Sequence, residues 1–219
     1  MIIYHGSQEV VKQPLYGYGR LHNDYGQGFY CTEDPELARE WASKSIEGGF
    51  ANAYDFDATK MRILDLTEYN MISWVALLLA NRTIRYASPI EKNAAQYLTD
   101  HFLPDTDGYD VIIGYRADDS YFSYARAFLS NTISLQQLNT AMQLGDLGIQ
   151  VCLKSPRSFD AIRFLNAEPT DGGTYYPRYI QRDERAREAY YSLLEQDDAD
   201  GIFVRDVIRE EMSADDFCV

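Results

Sequence analysis

The pattern of apolar and polar positions predicts short strands near the start of the chain. Residues 2–4 form an apolar run that breaks at Gly6, as expected for a buried strand. A second apolar run, residues 29–31, follows two glycines, Gly26 and Gly28. Similar short runs predict further strands at 50–57, 63–66, 109–115, 149–153 and, at an edge, 202–204.

Helical spacing of apolar residues predicts helices between these strands. We expect Thr32 to cap a helix that ends at Gly48 and Gly49, and Ser134 with Gln137 to form a capping box. Further helices are predicted at 70–81, 90–102, 121–131, 134–144 and 175–195, with a short helix or turn at 158–165. Short strands mixed with helices, the latter concentrated in the middle, predict the α+β fold class.

Composition and charge narrow the classes of function. The chain has 219 residues, 46% of them hydrophobic, which suffices for one domain with a sizeable core. Its net charge of -14 repels phosphate backbones and so disfavours nonspecific binding of nucleic acid. The three cysteines have no metal-binding or disulfide spacing, so no metal site is predicted and a reducing compartment is expected. The N-terminus lacks a signal-peptide pattern and the longest apolar run is short, so we expect a cytoplasmic protein without a membrane partner.

Candidate chemistry is concentrated in the first two predicted strands. His5 ends the first strand next to Gly6, and Tyr30 lies in the second. Glycine lets a ligand come close to the backbone, so a small, flat, polar ligand between the two strands is the simplest function. The segment 9–23, predicted to be a loop, is placed to lie over such a pocket. The alternative is structural, with His5 an ordinary strand-end histidine and Tyr30 a core aromatic.

Four motifs, in order, resemble the diphtheria-toxin and poly(ADP-ribose)-polymerase branch of ADP-ribosyltransferases, whose signature is H-Y-E/Q. More narrowly, they resemble a bacterial family long catalogued as of unknown function. The motifs are YHGS at 4–7, GQGFYCT at 26–32, GYRADD at 114–119 and IQVCLK at 149–154. The resemblance covers residues 1–165 and implies a split β-sheet core with a helical insertion at about 70–144. Residues 166–219 would then be a C-terminal extension packed on the same domain.

The resemblance also implies roles for individual residues. His5 would hydrogen-bond a ribose hydroxyl of NAD, and Tyr30 would stack on the nicotinamide ring. The backbone of Gly6 would hold the nicotinamide amide, with support from Ser7. Such a clamp orients the bond between nicotinamide and ribose for cleavage. The implied NAD-binding residues are His5, Gly6, Ser7, Gly28, Phe29 and Tyr30.

Gln150 departs from the best-known pattern, which has glutamate at this catalytic position. A carboxylate about 4 Å from a developing positive charge contributes roughly 4 kcal/mol at an effective dielectric near 20, or about a thousandfold in rate. An amide orients the ribose but cannot act as a base. Either the enzyme is slow, or its acceptor is already nucleophilic, or a carboxylate comes from elsewhere in the chain. Our hypothesis for the last case is that Asp118 or Asp119 supplies the charge, and only one of them, because adjacent residues of an extended chain point opposite ways. The alternative is that this pair caps the helix starting near Ser120.

The function implied by the resemblance is NAD-dependent mono-ADP-ribosylation by a bacterial toxin or effector, which would have an antitoxin or other neutralising partner. The acceptor is unknown, and the acidic composition favours a protein over nucleic acid. Three alternatives stay open. They are an NAD glycohydrolase that uses water as acceptor, an NAD-binding module with little turnover, and an acidic interaction protein whose motifs are accidental.

Overall fold

The computed structural model describes residues 1–117, 119–144, 148–196 and 198–217, without the side chains of residues 119–121. The strands are β1 Ile2–Ser7, β2 Phe29–Cys31, β3 Gly49–Phe56, β4 Ile63–Asp65, β5 Val111–Tyr115, β6 Ile149–Leu153 and β7 Ile162–Thr170. The α-helices are α1 Pro35–Ala42, α2 Met71–Asn81, α3 Pro89–Phe102, α4 Asp119–Leu129, α5 Leu135–Ala141, α6 Pro156–Asp160, α7 Gly172–Leu194 and α8 Val204–Arg209. The predicted α+β class is confirmed.

Two sheets meet where β1 passes β2. The smaller sheet has the antiparallel order β1-β3-β7. The larger has the order β2-β6-β5-β4, in which only the β4–β5 pair is parallel. Tyr4 and Thr32 join the sheets through two backbone hydrogen bonds of 2.7 and 2.9 Å. His5 directly follows Tyr4, and Tyr30 lies two residues before Thr32. The bridge therefore brings His5 and Tyr30 onto neighbouring strands.

The core has two parts. Helices α2 to α5 pack over the larger sheet, and α2 is buried along residues 72–79, which explains its almost entirely apolar sequence. A smaller cluster joins residues of both sheets, among them Ile3, Tyr54 and Val151. Full burial of one such side chain contributes about 1.5–3 kcal/mol, so this cluster holds the sheets together beneath the Tyr4–Thr32 bridge. No helix of the described ranges combines the length and apolar character needed to cross a membrane.

Helix α1 begins two residues later than predicted, and the prediction that Thr32 caps it is wrong. The cap is Asp34, whose carboxylate accepts from the backbone N–H of Glu36 at 2.8 Å. The backbone of Thr32 pairs with Tyr4, and its hydroxyl accepts from the backbone N–H of Asp34 at 3.2 Å, so Thr32 precedes the cap instead of forming it. The helix also ends early, at Ala42.

Two further predictions near the C-terminus are wrong, one of them only in part. The helix or turn expected at 158–165 is found as α6, which ends at Asp160, while residues 162–165 begin strand β7. Most β7 side chains are exposed or half-buried, so the apolar alternation that marks a strand is weak. No edge strand forms at 202–204: residues 202–203 have no regular structure and α8 begins at Val204, where the Asp206 carboxylate accepts from the backbone N–H of Phe203 at 3.0 Å.

Candidate functional site

A cleft of about 940 Å³ opens beside the junction of β1 and β2. The segment 9–23, predicted to be a loop over a pocket, has no helix or strand and lines this cleft. The cleft brings together most of the residues singled out in the sequence: His5, Gly6, Ser7, Gly28, Phe29, Tyr30 and Gln150. Asp118 lies outside the described residues, as does the side chain of Asp119, so the role expected for this pair stays a prediction.

His5 is held as a neutral ring with a defined tautomer. Its Nδ1 lies 2.7 Å from the backbone oxygen of Tyr30. A carbonyl only accepts, so Nδ1 carries the hydrogen and Nε2 is left as an acceptor. Burial is the main cause that lowers the pKa of His5 below its ordinary value, which favours the neutral form. The ring also packs on Phe29, with centroids 4.4 Å apart. His5 is therefore suited to accept a hydrogen bond from a ligand hydroxyl.

Tyr30 offers a fixed aromatic surface and a phenol that stays protonated at neutral pH. Its hydroxyl donates to the backbone oxygen of Gly26 at 2.7 Å and accepts from the backbone N–H of Tyr25 at 2.9 Å. Burial raises the pKa of the Tyr30 phenol far above its usual range. The ring is nearly parallel to that of Tyr25, with centroids 6.3 Å apart. Tyr30 can thus stack on a planar ligand but cannot serve as a base.

The glycines of the site are required by packing between elements. A Cβ on Gly6 would lie 2.2 Å from the backbone oxygen of Ala38, so glycine lets α1 rest directly on β1. A Cβ on Gly28 would lie 2.4 Å from the sulfur of Cys152 on the paired strand β6. Gly6 and Gly28 also line the cleft. The absence of a side chain at these positions therefore leaves their backbone as part of the cleft wall.

Asn52, on β3, supports the site and was missed by sequence reasoning. The side chain is fully buried. Its Nδ2 donates to the Ser7 hydroxyl oxygen at 2.9 Å and to the backbone oxygen of His5 at 3.1 Å. Its Oδ1 accepts from the backbone N–H of Val11 at 2.9 Å. Asn52 therefore ties the end of β1 to the loop over the cleft, and the only sequence signal was a lone amide within an apolar strand.

Gln150 contacts a buried carboxylate that sequence reasoning also missed. Gln150, only 3% exposed, donates from Nε2 to Asp24 Oδ2 at 3.0 Å and to the backbone oxygen of Tyr115 at 3.1 Å. Asp24, only 5% exposed, also accepts from the backbone N–H of Ala117 at 3.0 Å. The nearest guanidinium nitrogen of Arg82 is 3.5 Å from Asp24 Oδ1. Burial is the largest cause that raises the pKa of Asp24. No spacing rule links residues so far apart in the chain.

Several cations line the cleft of this acidic chain. Arg20, Lys44 and Arg116 form a group that we call the cation cluster. Burial lowers the pKa of Lys44, and the positive charges of Arg116 and Arg20 lower it further. The Arg116 guanidinium lies over the ring of Trp41, 4.7 Å from its centroid. The cluster combines a loop, the end of α1 and the end of β5, and it is suited to an anionic ligand.

Helix α7 forms another wall of the cleft through Tyr179, Asp183 and Arg187. It is attached to α1 by ion pairs, of which Arg182–Glu40, at 2.7 Å, is the most buried. Part of the cleft is therefore built by residues beyond the four motifs.

A family model described as “Protein of unknown function (DUF3990)” matches residues 1–164. Comparison with curated proteins and with solved structures finds no significant match. The matched segment contains β1 to β6 and all four motifs, and it spans most of the chain. The chain therefore belongs to the DUF3990 family.

Proposed function

We propose that this protein is an NAD-dependent ADP-ribosyltransferase of the H-Y-E/Q type and that the cleft is its NAD site. The observation that carries the proposal is that one cleft is lined by His5, Tyr30 and Gln150, which come from three strands of two sheets. Two sheets that meet at β1 and β2 are also compatible with the split β-sheet core that the motifs imply. The motifs and the cleft thus support the same chemistry.

The residues of the cleft have the properties that this chemistry requires. NAD, when bound, supplies a glycosidic bond between nicotinamide and ribose, whose cleavage leaves positive charge on the ribose carbon. His5 accepts a hydrogen bond from a ribose hydroxyl at Nε2, and Tyr30 stacks on the nicotinamide ring. Gly6 offers backbone groups to the carboxamide, and Gln150 orients the ribose. These side chains are held by the protein before the ligand arrives, which lowers the entropic cost of orientation.

In this proposal the cation cluster binds the phosphates of NAD. A chain with a net charge of -14 repels an anion at long range. Arg20, Lys44 and Arg116 nevertheless place positive charge in the lining of the cleft, close to where an anion would bind. Binding of the pyrophosphate would relieve the mutual repulsion of these cations.

The same acidic surface makes a protein a better acceptor than nucleic acid. We extend the proposal to a cytoplasmic toxin or effector with an antitoxin or other neutralising partner, on the basis of the motifs alone.

The proposal is tested by nicotinamide release from NAD, with mass spectrometry of labelled products formed in cell extract. We expect His5→Ala and Tyr30→Ala to lower the rate about a hundredfold or more, because each removes a group that orients the substrate. Tyr30→Phe keeps the ring and should retain much more activity. His101→Ala, on the exposed side of α3, and Tyr69→Phe, which is exposed, are matched controls that should retain the wild-type rate.

The products separate the alternatives. Labelled protein adducts support transfer, whereas free ADP-ribose alone supports an NAD glycohydrolase. At NAD concentrations about a hundred times the Kd, binding should raise Tm by about 5–10 °C, and such a shift without turnover supports a binding module. Wild-type protein that neither binds nor consumes NAD contradicts the proposal and favours an interaction protein.

A further inference from the structure

The orientation of the Gln150 amide is fixed by its neighbours. Nε2 donates to two acceptors, Asp24 Oδ2 at 3.0 Å and the backbone oxygen of Tyr115 at 3.1 Å. Only an NH₂ group can satisfy both, so this end of the amide faces the protein. Oε1 is the other end of the amide, and Gln150 lines the cleft. Because Nε2 is engaged by the protein, Oε1 is the end of this side chain that we expect to meet a ligand.

The same contacts explain why residue 150 is a glutamine. In a glutamate, an oxygen would replace Nε2 and would lie about 3 Å from two acceptors, one of them the charged Asp24. Two carboxylates at that distance cannot both ionise, so one would bind a proton or move away. A carboxylate at residue 24 therefore requires an amide, and not a second carboxylate, at residue 150.

Burial of the Asp24 carboxylate carries a free-energy cost for folding. It is buried, its Oδ2 accepts from both Ala117 and Gln150, and burial raises its pKa. Among the residues that the structure describes, the charged groups that face it are Arg82, at the end of α2, and Arg116, after β5. Cys152 and the phenols of Tyr25 and Tyr30 also adjoin it, and burial keeps all three protonated. A buried carboxylate that lines a ligand cleft is characteristic of functional sites.

We infer that Asp24 supplies the negative charge of the site and acts through Gln150, so that the two side chains replace the single glutamate of the best-known pattern. The hydrogen bond from Nε2 to Asp24 polarises the amide and makes Oε1 more negative. Oε1 then stabilises the positive charge that develops on the ribose carbon. Asp24 is a positioning residue, and neither side chain forms a bond or transfers a proton. This inference rests on the proposed function and names the residue that carries its charge.

The decisive substitutions are Asp24→Asn and Gln150→Glu, measured by steady-state nicotinamide release. An asparagine oxygen can still accept from Ala117 and Gln150, so Asp24→Asn removes mainly the charge. We expect kcat to fall about 50-fold, as for a charge about 7 Å from the reacting carbon at an effective dielectric near 20, with KM for NAD within about threefold of wild type. The acidic limb of the kcat–pH profile, which reflects protonation of Asp24, should disappear in this variant.

Gln150→Glu separates this inference from the view that Gln150 is an impaired glutamate. An impaired glutamate would gain activity on restoration, by up to about a thousandfold. We expect a loss of tenfold or more, with an acidic limb moved to higher pH because the new carboxyl shares a proton with Asp24. Asp110→Asn is the matched control, since Asp110 is buried but does not line the cleft, and its kcat should stay within about threefold of wild type.

Two results would overturn the inference: a higher kcat for Gln150→Glu, or an Asp24→Asn variant with kcat within threefold of wild type. Either result, with NAD turnover intact in the wild type, leaves the proposed function in place. A wild type that releases no nicotinamide overturns both proposals together. Melting curves confirm that each variant is folded before its rate is interpreted.

Discussion

Two buried aspartates show how the environment of a single residue sets its contribution to stability. Asp110 accepts from the backbone N–H of Arg62 at 2.9 Å and from the Ser155 hydroxyl at 2.5 Å. These hydrogen bonds are the main causes that lower its pKa. Its ionised form therefore stabilises the fold above the unfolded-state pKa of about 3.9, and the benefit is lost as the pH falls through the lowered value. Ionisation of Asp24 has the opposite effect on stability. Its pKa is raised, so the folded state binds the proton more tightly than the unfolded state does, and the ionised form destabilises the fold.

At the residue scale we predict that the matched substitutions change stability in opposite ways. Asp110→Asn should lower Tm at pH 7 by about 2–6 °C, because charge-assisted hydrogen bonds are lost. Asp24→Asn should leave Tm unchanged or raise it, because the raised pKa of Asp24 means that burial of its charge outweighs its hydrogen bonds and its contact with Arg82. Thermal melts at pH 7 and pH 4 test this, and the difference between the variants should shrink at the lower pH. Equal losses of Tm in both variants would show that Asp24 is an ordinary structural carboxylate.

At the element scale, the sequence pattern predicted the correct structure where the residues of an element are themselves enough to determine it. The strand at 149–153 and the capping box of Ser134 and Gln137 are found as predicted. Strand β7 was missed because its pairing with β3 defines it, while its side chains are largely exposed. The same limit applies to the site. Motifs identified His5, Tyr30 and Gln150, but Asp24 is recognisable only through a contact made in the fold.

The attachment of α7 to α1 gives a prediction at this scale. Glu40 and Arg182 form an ion pair of 2.7 Å in which both side chains are largely buried, whereas the Glu36–Arg178 pair, at 3.3 Å, is exposed. Removing one partner of a buried pair costs more than weakening an exposed pair. We expect Glu40→Gln to speed hydrogen exchange in residues 172–194 and to lower Tm by about 2 °C or more. Glu36→Gln is the control and should have little effect on either. Similar exchange in both variants would mean that α7 is held mainly by its apolar face.

At the scale of the whole molecule, the notable feature is a cationic cleft in a strongly acidic chain. Fields from distant surface charges are screened by salt, while cations that line a cleft lie within a Debye length of a bound anion and act on it at close range. The acidic net charge of the chain repels an anionic ligand, and the cations of the cleft attract it. Binding of such a ligand therefore depends on the local cations and not on net charge. The cation cluster should therefore govern the affinity for NAD.

We predict that Lys44→Gln raises KM for NAD about three- to tenfold and leaves kcat within about twofold, because Lys44 contributes to binding and not to cleavage. The measurement is nicotinamide release at several NAD concentrations and at two salt concentrations. Lys92→Gln, an exposed substitution on α3 that removes the same charge, should change neither constant. An equal rise in KM for both variants would assign the effect to net charge.

The wall contributed by α7 has a consequence for how relatives of this protein should be compared. Tyr179, Asp183 and Arg187 lie beyond residues 1–164, the segment matched to the family. A chain that kept this segment and carried a different C-terminal helix would keep the hydrogen bonds around Gln150, and on the proposed function it would expose another surface to an incoming acceptor. Shared chemistry and divergent targets would then be encoded in separate stretches of one polypeptide, and grafting a foreign α7 would be the route to redirect it.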